Sequence, residues 1–305
     1  MPISTSCNPL VSIVIPTYNR AHCISQTIKS VVDQTRTDWE LIIIDNNSTD
    51  NTLQIIDSFS DKRISTHQIE NNGIVASSRN LGIKQSKGKY VAFLDSDDWW
   101  VPDKLEISLR VLESGSDLVY HDLYKISKLP VVVKNHLRVP TRKLTSPVFA
   151  DLLTNGNAIV NSSVVVRRSF LKEISGFSEE EDLVGSEDFD GWIRISRLTE
   201  KFERLEGALG YYWDGGGNLT SPKLALSNNL FLCHRYETDF KRILGETPPG
   251  WMTYSLARAS LALDEFAEAR RYALLTLKVK VPSRICLKAA AILVMSVIKF
   301  RGKIS

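Results

Sequence analysis

The sequence predicts an α/β protein. It should have a doubly wound, mostly parallel sheet with helices on both faces, followed by a C-terminal helical extension. Three observations predict this. Up to Tyr120, short apolar runs alternate with segments of helical apolar spacing, the pattern of successive β-α-β units. Three of those runs stop at polar loops, Thr17-Tyr18-Asn19-Arg20, Asp45-Asn46-Asn47 and Asp95-Ser96-Asp97-Asp98. From Ala225 onward only helical spacing remains.

The elements follow in order. Val11 to Ile15 is a near-continuous apolar run closed by Pro16, as in a buried parallel strand. Ile24, Ile28, Val31 and Val32 give a crossover helix. Trp39 to Ile44 is a second buried strand, and Ser48 or Thr49 can cap a helix carrying Leu53, Ile56 and Phe59. Arg63 to Gln68 is a weaker strand broken by Asn72-Gly73, and a helix runs through Ala76, Asn80 and Ile83. Tyr90 to Leu94 is the next strand. Pro102 opens a helix through Leu105, Leu109 and Leu112 that stops at Gly115, and Asp117 to Tyr120 is a further strand.

Composition narrows the class. The chain has 305 residues, 43% hydrophobic and 24% charged, enough for one large soluble domain or two smaller ones. A net charge of +3 is too mild to imply nucleic-acid binding. Cys7, Cys23, Cys233 and Cys286 are scattered without CxxC or zinc spacing and read as reduced thiols. Met1 to Leu10 lacks a signal-peptide pattern, and no stretch approaches the ~20 apolar residues of a membrane span. A cytoplasmic location is expected, peripheral at the inner membrane face if the tail binds lipid.

The acidic loop has two readings. Asp95, Asp97 and Asp98 at a strand's C-terminal end can hold a hard divalent cation that clamps a diphosphate, or they can form a solvated turn capping the next helix. Open α/β sheets gather such loops into one crevice, which favours a ligand site. Neither GxGxxG nor GxxxxGK[ST] is present.

Five segments occur in one order: residues 11–20 (VSIVIPTYNR), 30–35 (SVVDQT), 44–50 (IDNNSTD), 78–82 (SRNLG) and 93–102 (FLDSDDWWVP). Together they resemble family-2 glycosyltransferases, which have the GT-A fold and use nucleotide-sugar donors. By that resemblance Pro16, Thr17 and Tyr18 would line the nucleobase pocket, and Asp45 and Asn46 would bind base and ribose. The usual pair there is Asp-Asp, yet Asn46 can still pair with a uracil edge. Arg79 would face the diphosphate, its other reading being a solvated helix charge. Asp95, Asp97 and Asp98 match the DxD-type motif. Asp97 and Asp98 would divide ribose contact and metal coordination, and Asp95 would support them. The implied cofactor is Mn²⁺ or Mg²⁺, which as a Lewis acid neutralises the leaving diphosphate. Trp99 and Trp100 either stack on a sugar or pack the loop onto the sheet.

The second half has fewer signals. Residues 127–147 are basic and strand-like, with Val131-Val132-Val133, and read as an acceptor-side excursion. Ser163 to Val166 is a returning strand, and Phe170 to Ile174 a short helix ended by Gly176. Ser186 can cap a helix whose first turn holds Glu187, Asp188 and Asp190, a common arrangement at a helix N-terminus. Glu187-Asp188 followed by Trp192 also resembles the family's catalytic segment, which implies Asp188 as general base, Glu187 in support and Asp190 as the alternative. Asp214 either replaces a late metal ligand of the family or the site lacks one, and the glycines of 215–217 suggest a mobile loop. Leu256 to Leu277 looks like one tetratricopeptide-type helix pair. Residues 278–303 carry seven basic residues and no acid around the apolar Ala289 to Ile298. That helix can lie on an anionic membrane or pack on the domain.

The expected division is a nucleotide-sugar half at 1–125, an acceptor half at 126–224 and a helical extension at 225–305. The expected function is metal-assisted, inverting transfer of a sugar from a nucleoside diphosphate, UDP favoured, to a hydroxyl of a glycan or lipid-linked glycan. The rival readings are a non-catalytic nucleotide- or sugar-binding module and a nucleotidyltransferase. The second would normally show a Gly-rich phosphate loop after the first strand, absent at 16–23.

Overall fold

The computed structural model of the chain describes residues 8–127, 137–215, 221–245, 248–279 and 281–304, with the backbone alone for 299–304. The chain opens with β1 (Val11–Thr17), α1 (Ile24–Val32), β2 (Trp39–Asp45), α2 (Thr52–Asp57), β3 (Ile64–Gln68) and α3 (Val75–Gln85). It continues with β4 (Tyr90–Phe93), β5 (Trp99–Trp100), α4 (Lys104–Glu113), β6 (Leu118–Ile126) and β7 (Arg138–Val139). Then come α5 (Val148–Asn155), β8 (Val165–Arg167), α6 (Arg168–Glu173), α7 (Glu187–Ser196) and β9 (Phe202–Trp213). The remainder is helical: α8 (Pro222–Arg235), α9 (Glu237–Leu244), α10 (Gly250–Ala262), α11 (Phe266–Lys278) and α12 (Ser283–Ile304). Two compact units result. The first is Met1–Leu144 with Ala158–Glu179 and Arg194–Asn218; the second is Thr145–Asn157 with Glu180–Ile193 and Leu219–Ser305.

The first unit holds one mixed sheet in the order β3-β2-β1-β4-β8-β6-β9-β5, with β7 on β6. Strands β3, β2, β1 and β4 are mutually parallel, as the continuous apolar runs of β1, β2 and β4 predict. β8 is inserted antiparallel between β4 and β6, and β9 runs parallel to β6. Alternation along β1 feeds two faces. Val11, Ile13 and Ile15 join Ile24 and Ile28 of α1 and Leu105 and Leu109 of α4 in one core. Each such fully buried aliphatic side chain contributes about 1.5–3 kcal/mol. On the other face Val14 meets α3 at Gly82, where an added Cβ would lie 2.3 Å from Val14 Cγ1.

Two local details differ from expectation. Ser48 and Thr49 do not cap α2. Asp50 does that work from outside the helix, its Oδ1 accepting from Thr52 N at 3.0 Å, while Ser48 is held by Asp45 and Asn19. The strand expected at Asp117–Tyr120 runs on to Ile126, because β9 and β7 supply partners along it. Residues 131–133 and 216–218 lie outside the described residues.

In the second unit, Ser221 caps α8 by accepting from Leu224 N at 3.2 Å, and Pro222 follows as the first helical residue. α10 and α11 form a hairpin that turns at Asp264 (φ +61), with Thr276 Oγ1 donating to Thr253 Oγ1 at 2.9 Å in its core. α12 buries Ala289, Ile292 and Ser296. Among the described residues, no helix is long and apolar enough to cross a membrane.

Candidate active site

In the sheet, Thr17 is the register partner of Asp45, so the loops after β1 and β2 leave side by side. They are stitched together. Asn46 N donates to Thr17 O and Asn19 N to Ser48 Oγ, both at 2.9 Å, and Asn19 Oδ1 accepts from Thr49 N at 2.8 Å. Asn19 and Asn47 both have positive φ, which Asn tolerates better than other non-glycine residues. Pro16 and Thr17 are buried, and Thr17 Oγ1 has no hydrogen-bond partner, whereas the Tyr18 ring is 50% exposed. Asp45 is fully buried, its carboxylate taken by Ser48 Oγ at 2.5 Å and Ser48 N at 2.9 Å. Asn46 Oδ1 accepts from Asn71 N at 2.8 Å, which leaves its amide NH₂ as the group offered outward.

The acidic loop is clamped from α1 and the turn that follows it. Thr27 Oγ1 donates to Ser96 O at 2.9 Å, Ser30 Oγ accepts from Trp100 N at 3.1 Å, and Gln34 Nε2 donates to Val101 O at 2.7 Å. Thr27 and Ser30 of α1 and Gln34 just beyond it are polar residues that nothing in an apolar pattern reveals. Asp95 pairs with Arg79 Nη2 at 2.7 Å, and Arg79 is only 5% exposed, so it is a buried counter-charge rather than a solvated helix residue. A turn at Asn161–Ser163 adds a weaker contact from Asn161 Nδ2 to Asp95 (3.3 Å) and places Ser162 Oγ as acceptor for Asp95 N at 3.1 Å.

Asp97 and Asp98 carry the electrostatic strain. Burial, then the charge of Asp95, pushes the Asp97 carboxyl up, and Arg20 at 3.7 Å opposes that. Asp98 is 1% exposed. Its carboxyl is pushed well above the usual range, first by burial and then by Asp95 and Asp97. Asp98 Oδ1 accepts from Trp213 N at 2.9 Å; the Ser162 hydroxyl lies near enough to offset part of the upward push, but Oδ2 is buried without a hydrogen bond of good geometry. Burial and these same carboxylates also raise the Tyr212 phenol to about 12. Clustered, desolvated carboxylates of this kind favour a bound cation. Among the described residues, no three Asp, Glu, His or Cys side chains converge as a self-sufficient metal cage. Asp97 and Asp98 are the two carboxylates of the loop that could hold such an ion. Mg²⁺ commonly uses such a pair at phosphate sites, and Mn²⁺ accepts the same oxygen ligands.

Trp99 and Trp100 pack the loop. They are 6% and 3% exposed; Trp99 stacks on Tyr211 at 5.3 Å, and Trp100 Nε1 donates to Ser162 O at 2.7 Å. The buried Lys104 Nζ, its pKa pushed well below the usual lysine value by burial, lies 3.8 Å from the Trp100 ring centroid. Asp214 is paired with Lys125 at 2.7 Å.

In the second unit, Ser186 O accepts from Asp190 N at 3.1 Å at the start of α7, and Asn228 of α8 holds Val184 O and Ser186 Oγ at 3.0 Å. Glu187 is buried and accepts from Gly185 N at 2.6 Å. Asp190 is fully buried against Tyr236 OH at 2.7 Å and Arg235 Nε at 3.3 Å. Asp188 is the partly exposed one of the three, with Oδ1 accepting from Phe189 N at 2.7 Å.

A mixed sheet with polar and acidic loops at the ends of its parallel strands is the arrangement in which α/β proteins bind their ligands. Residues 12–175, more than half of the chain, match the description "Glycosyl transferase family 2". Two Escherichia coli relatives, WfgD and WfaP, are both described as UDP-Glc:alpha-D-GlcNAc-diphosphoundecaprenol beta-1,3-glucosyltransferases. WfgD is 36% identical over 187 residues, 61% of this chain and 69% of WfgD. WfaP is 32% identical over 219 residues, 70% of this chain and 81% of WfaP. Staphylococcus aureus TarS 1–349, solved with UDP-GlcNAc, shares the fold with a TM-score of 0.58 at 19% identity, over 96% of this chain and 92% of that one. The chain belongs to glycosyl transferase family 2, and it is a glycosyltransferase.

Proposed function

We propose that this chain moves a hexose, glucose in the first instance, from UDP to a hydroxyl of a GlcNAc-diphosphoundecaprenol-type acceptor. Transfer would invert the anomeric carbon and use Mn²⁺ or Mg²⁺, with the protein working at the cytoplasmic face of the membrane. One observation carries the donor half of this reading: Asp98 is buried beside two more carboxylates, and one of its oxygens lacks a hydrogen bond of good geometry. The acceptor half is supported by what WfgD and WfaP are described as using.

The residues would divide the work as follows. Thr17, with its unpartnered buried hydroxyl, and the exposed Tyr18 ring receive the nucleobase on the floor formed by Pro16. Asp45 fixes that floor through Ser48, and the Asn46 NH₂ meets a base carbonyl. Arg79 holds Asp95, which orients the loop carrying Asp97 and Asp98. Asp97 and Asp98 would hold the divalent ion, which supplies Lewis-acid neutralisation of the leaving diphosphate. Inversion requires the acceptor oxygen to attack opposite the leaving group and to lose its proton to a base. Asp188 takes that proton, and Glu187 shapes the turn before it through Gly185.

The test is transfer from UDP-glucose, with other UDP-sugars and with GDP-, CDP- and dTDP-sugars in parallel, to a diphosphoprenol-linked GlcNAc acceptor, the product's anomeric configuration being read by NMR. A β-linked product from an α-linked donor is expected. An α-linked product, or transfer only from non-uridine donors, would contradict the reading.

A further inference from the structure

We infer that the α10–α12 region of the second unit is a docking site for anionic phospholipid in a bilayer. The inference deepens the lipid-linked reading above and adds a site remote in sequence from the donor residues.

The first observation is an apolar outer side on α12. The helix buries Ala289, Ile292 and Ser296 and half-buries Ile285 and Leu293, yet it also carries large apolar residues on its outer side. Leu287 is 73% exposed, Val294 59% and Ile298 64%. At 3.6 residues per turn these fall on one stripe, with Ala290 and Ala291, both exposed, between them. Met295 and Val297 flank it. A helix that serves only to close a core carries polar residues on that outer side.

The second observation is a groove of about 400 Å³ between α10 and α12. Its floor is Leu261, Ala291, Ile292 and Met295, and Arg258 and Lys288 stand at it, both exposed. The third is charge. Neither α10 nor α12 contains a single acid, and 278–303 carries Lys278, Lys280, Arg284, Lys288, Lys299, Arg301 and Lys303. Two cations beside an apolar floor suit a lipid phosphate with an acyl chain running from it. An apolar stripe with basic flanks suits the interface of an anionic leaflet. A second copy of this chain fits poorly, since self-pairing of this face would bring like charges together. The helix is too polar to span, so contact lies in the membrane plane.

The test is flotation of the full chain with vesicles of phosphatidylcholine alone and with about a third phosphatidylglycerol. Val294→Glu/Ile298→Glu and Arg258→Glu/Lys288→Glu are compared with wild type, each first checked by thermal melting and by its shift with UDP, which these surface residues should not alter. Binding is expected only with phosphatidylglycerol and reduced at least about tenfold by either pair. It should also weaken between about 0.1 M and about 1 M salt, as the Debye length falls from ~10 to ~3 Å. The salt arm uses wild type alone and so stands even if a variant misfolds. Four outcomes would overturn the inference: no flotation, equal flotation on both lipids, flotation indifferent to both pairs, or a dimer or peptide complex through Val294 without vesicle binding. None of them would touch the donor chemistry, which UDP binding and sugar transfer report separately.

Discussion

At the scale of single residues, the site is a balance between burial and charge. Asp98 shows it best. Its ionised form is opposed by burial and by Asp95 and Asp97, so the folded chain holds its proton more tightly than the unfolded chain does. By linkage, that proton's contribution to stability is whole below the ordinary carboxylate range and is lost as pH rises through the raised folded value. Asp98→Asn keeps an acceptor for Trp213 N and removes the charge. It should therefore melt higher than wild type without metal at neutral pH and lose metal-dependent nucleotide binding; a lower melting point would contradict this account. His121 has the opposite sign. Burial, then Lys104, lowers it to about 3, so between there and 6.5 the unfolded chain binds the extra proton. Stability is full above 6.5 and falls toward pH 3, by several kcal/mol at most given about 1.4 kcal/mol per unit. Denaturant titrations of His121→Phe across that range should show a flatter acid limb, and an unchanged slope would count against a neutral buried ring. Little of this was legible beforehand. The motif residues were, but Ser162, the Thr27/Ser30/Gln34 clamp and the Trp213 N–H reach the loop from distant parts of the chain through ordinary polar groups.

At the scale of elements, legibility followed burial. β1, β2 and β4 are buried on both faces, so their residues form continuous apolar runs that a sequence displays directly. β5 is two residues long and exists because β9 passes beside it, and β8 is short and antiparallel; such pairings come from tertiary context. The fit of α3 on β1 is likewise invisible in sequence. Gly82→Ala should gain up to about 1 kcal/mol of helix propensity but lose about 1–3 kcal/mol to overpacking against Val14. We expect net destabilisation of about 1–2 kcal/mol by chemical denaturation, and a stabilised variant would show that the contact relaxes freely. For α7, Asp188→Asn should lower kcat by about 10²–10⁴ while leaving UDP binding intact. Equal loss for Asp190→Asn in a protein of wild-type stability would move the base to that position. The buried Tyr236 and Arg235 contacts argue instead that Asp190 is structural.

At the scale of the whole molecule, the ordered motifs of the first third foretold family and fold, because donor chemistry is written in short loops at strand ends. The acceptor side offered no comparable signal, since loops that recognise one glycan share no fixed pattern. The tail's basic, apolar composition was visible, yet only the three-dimensional arrangement shows that Leu287, Val294 and Ile298 face outward. The most direct measurement of the central claim is a thermal-shift panel of UDP, GDP, CDP and dTDP, each with and without Mn²⁺, on wild type and on Asp97→Ala/Asp98→Ala. The account predicts stabilisation by UDP that requires Mn²⁺ and disappears in the double variant. Stabilisation by UDP that is indifferent to both the metal and the two aspartates would contradict it.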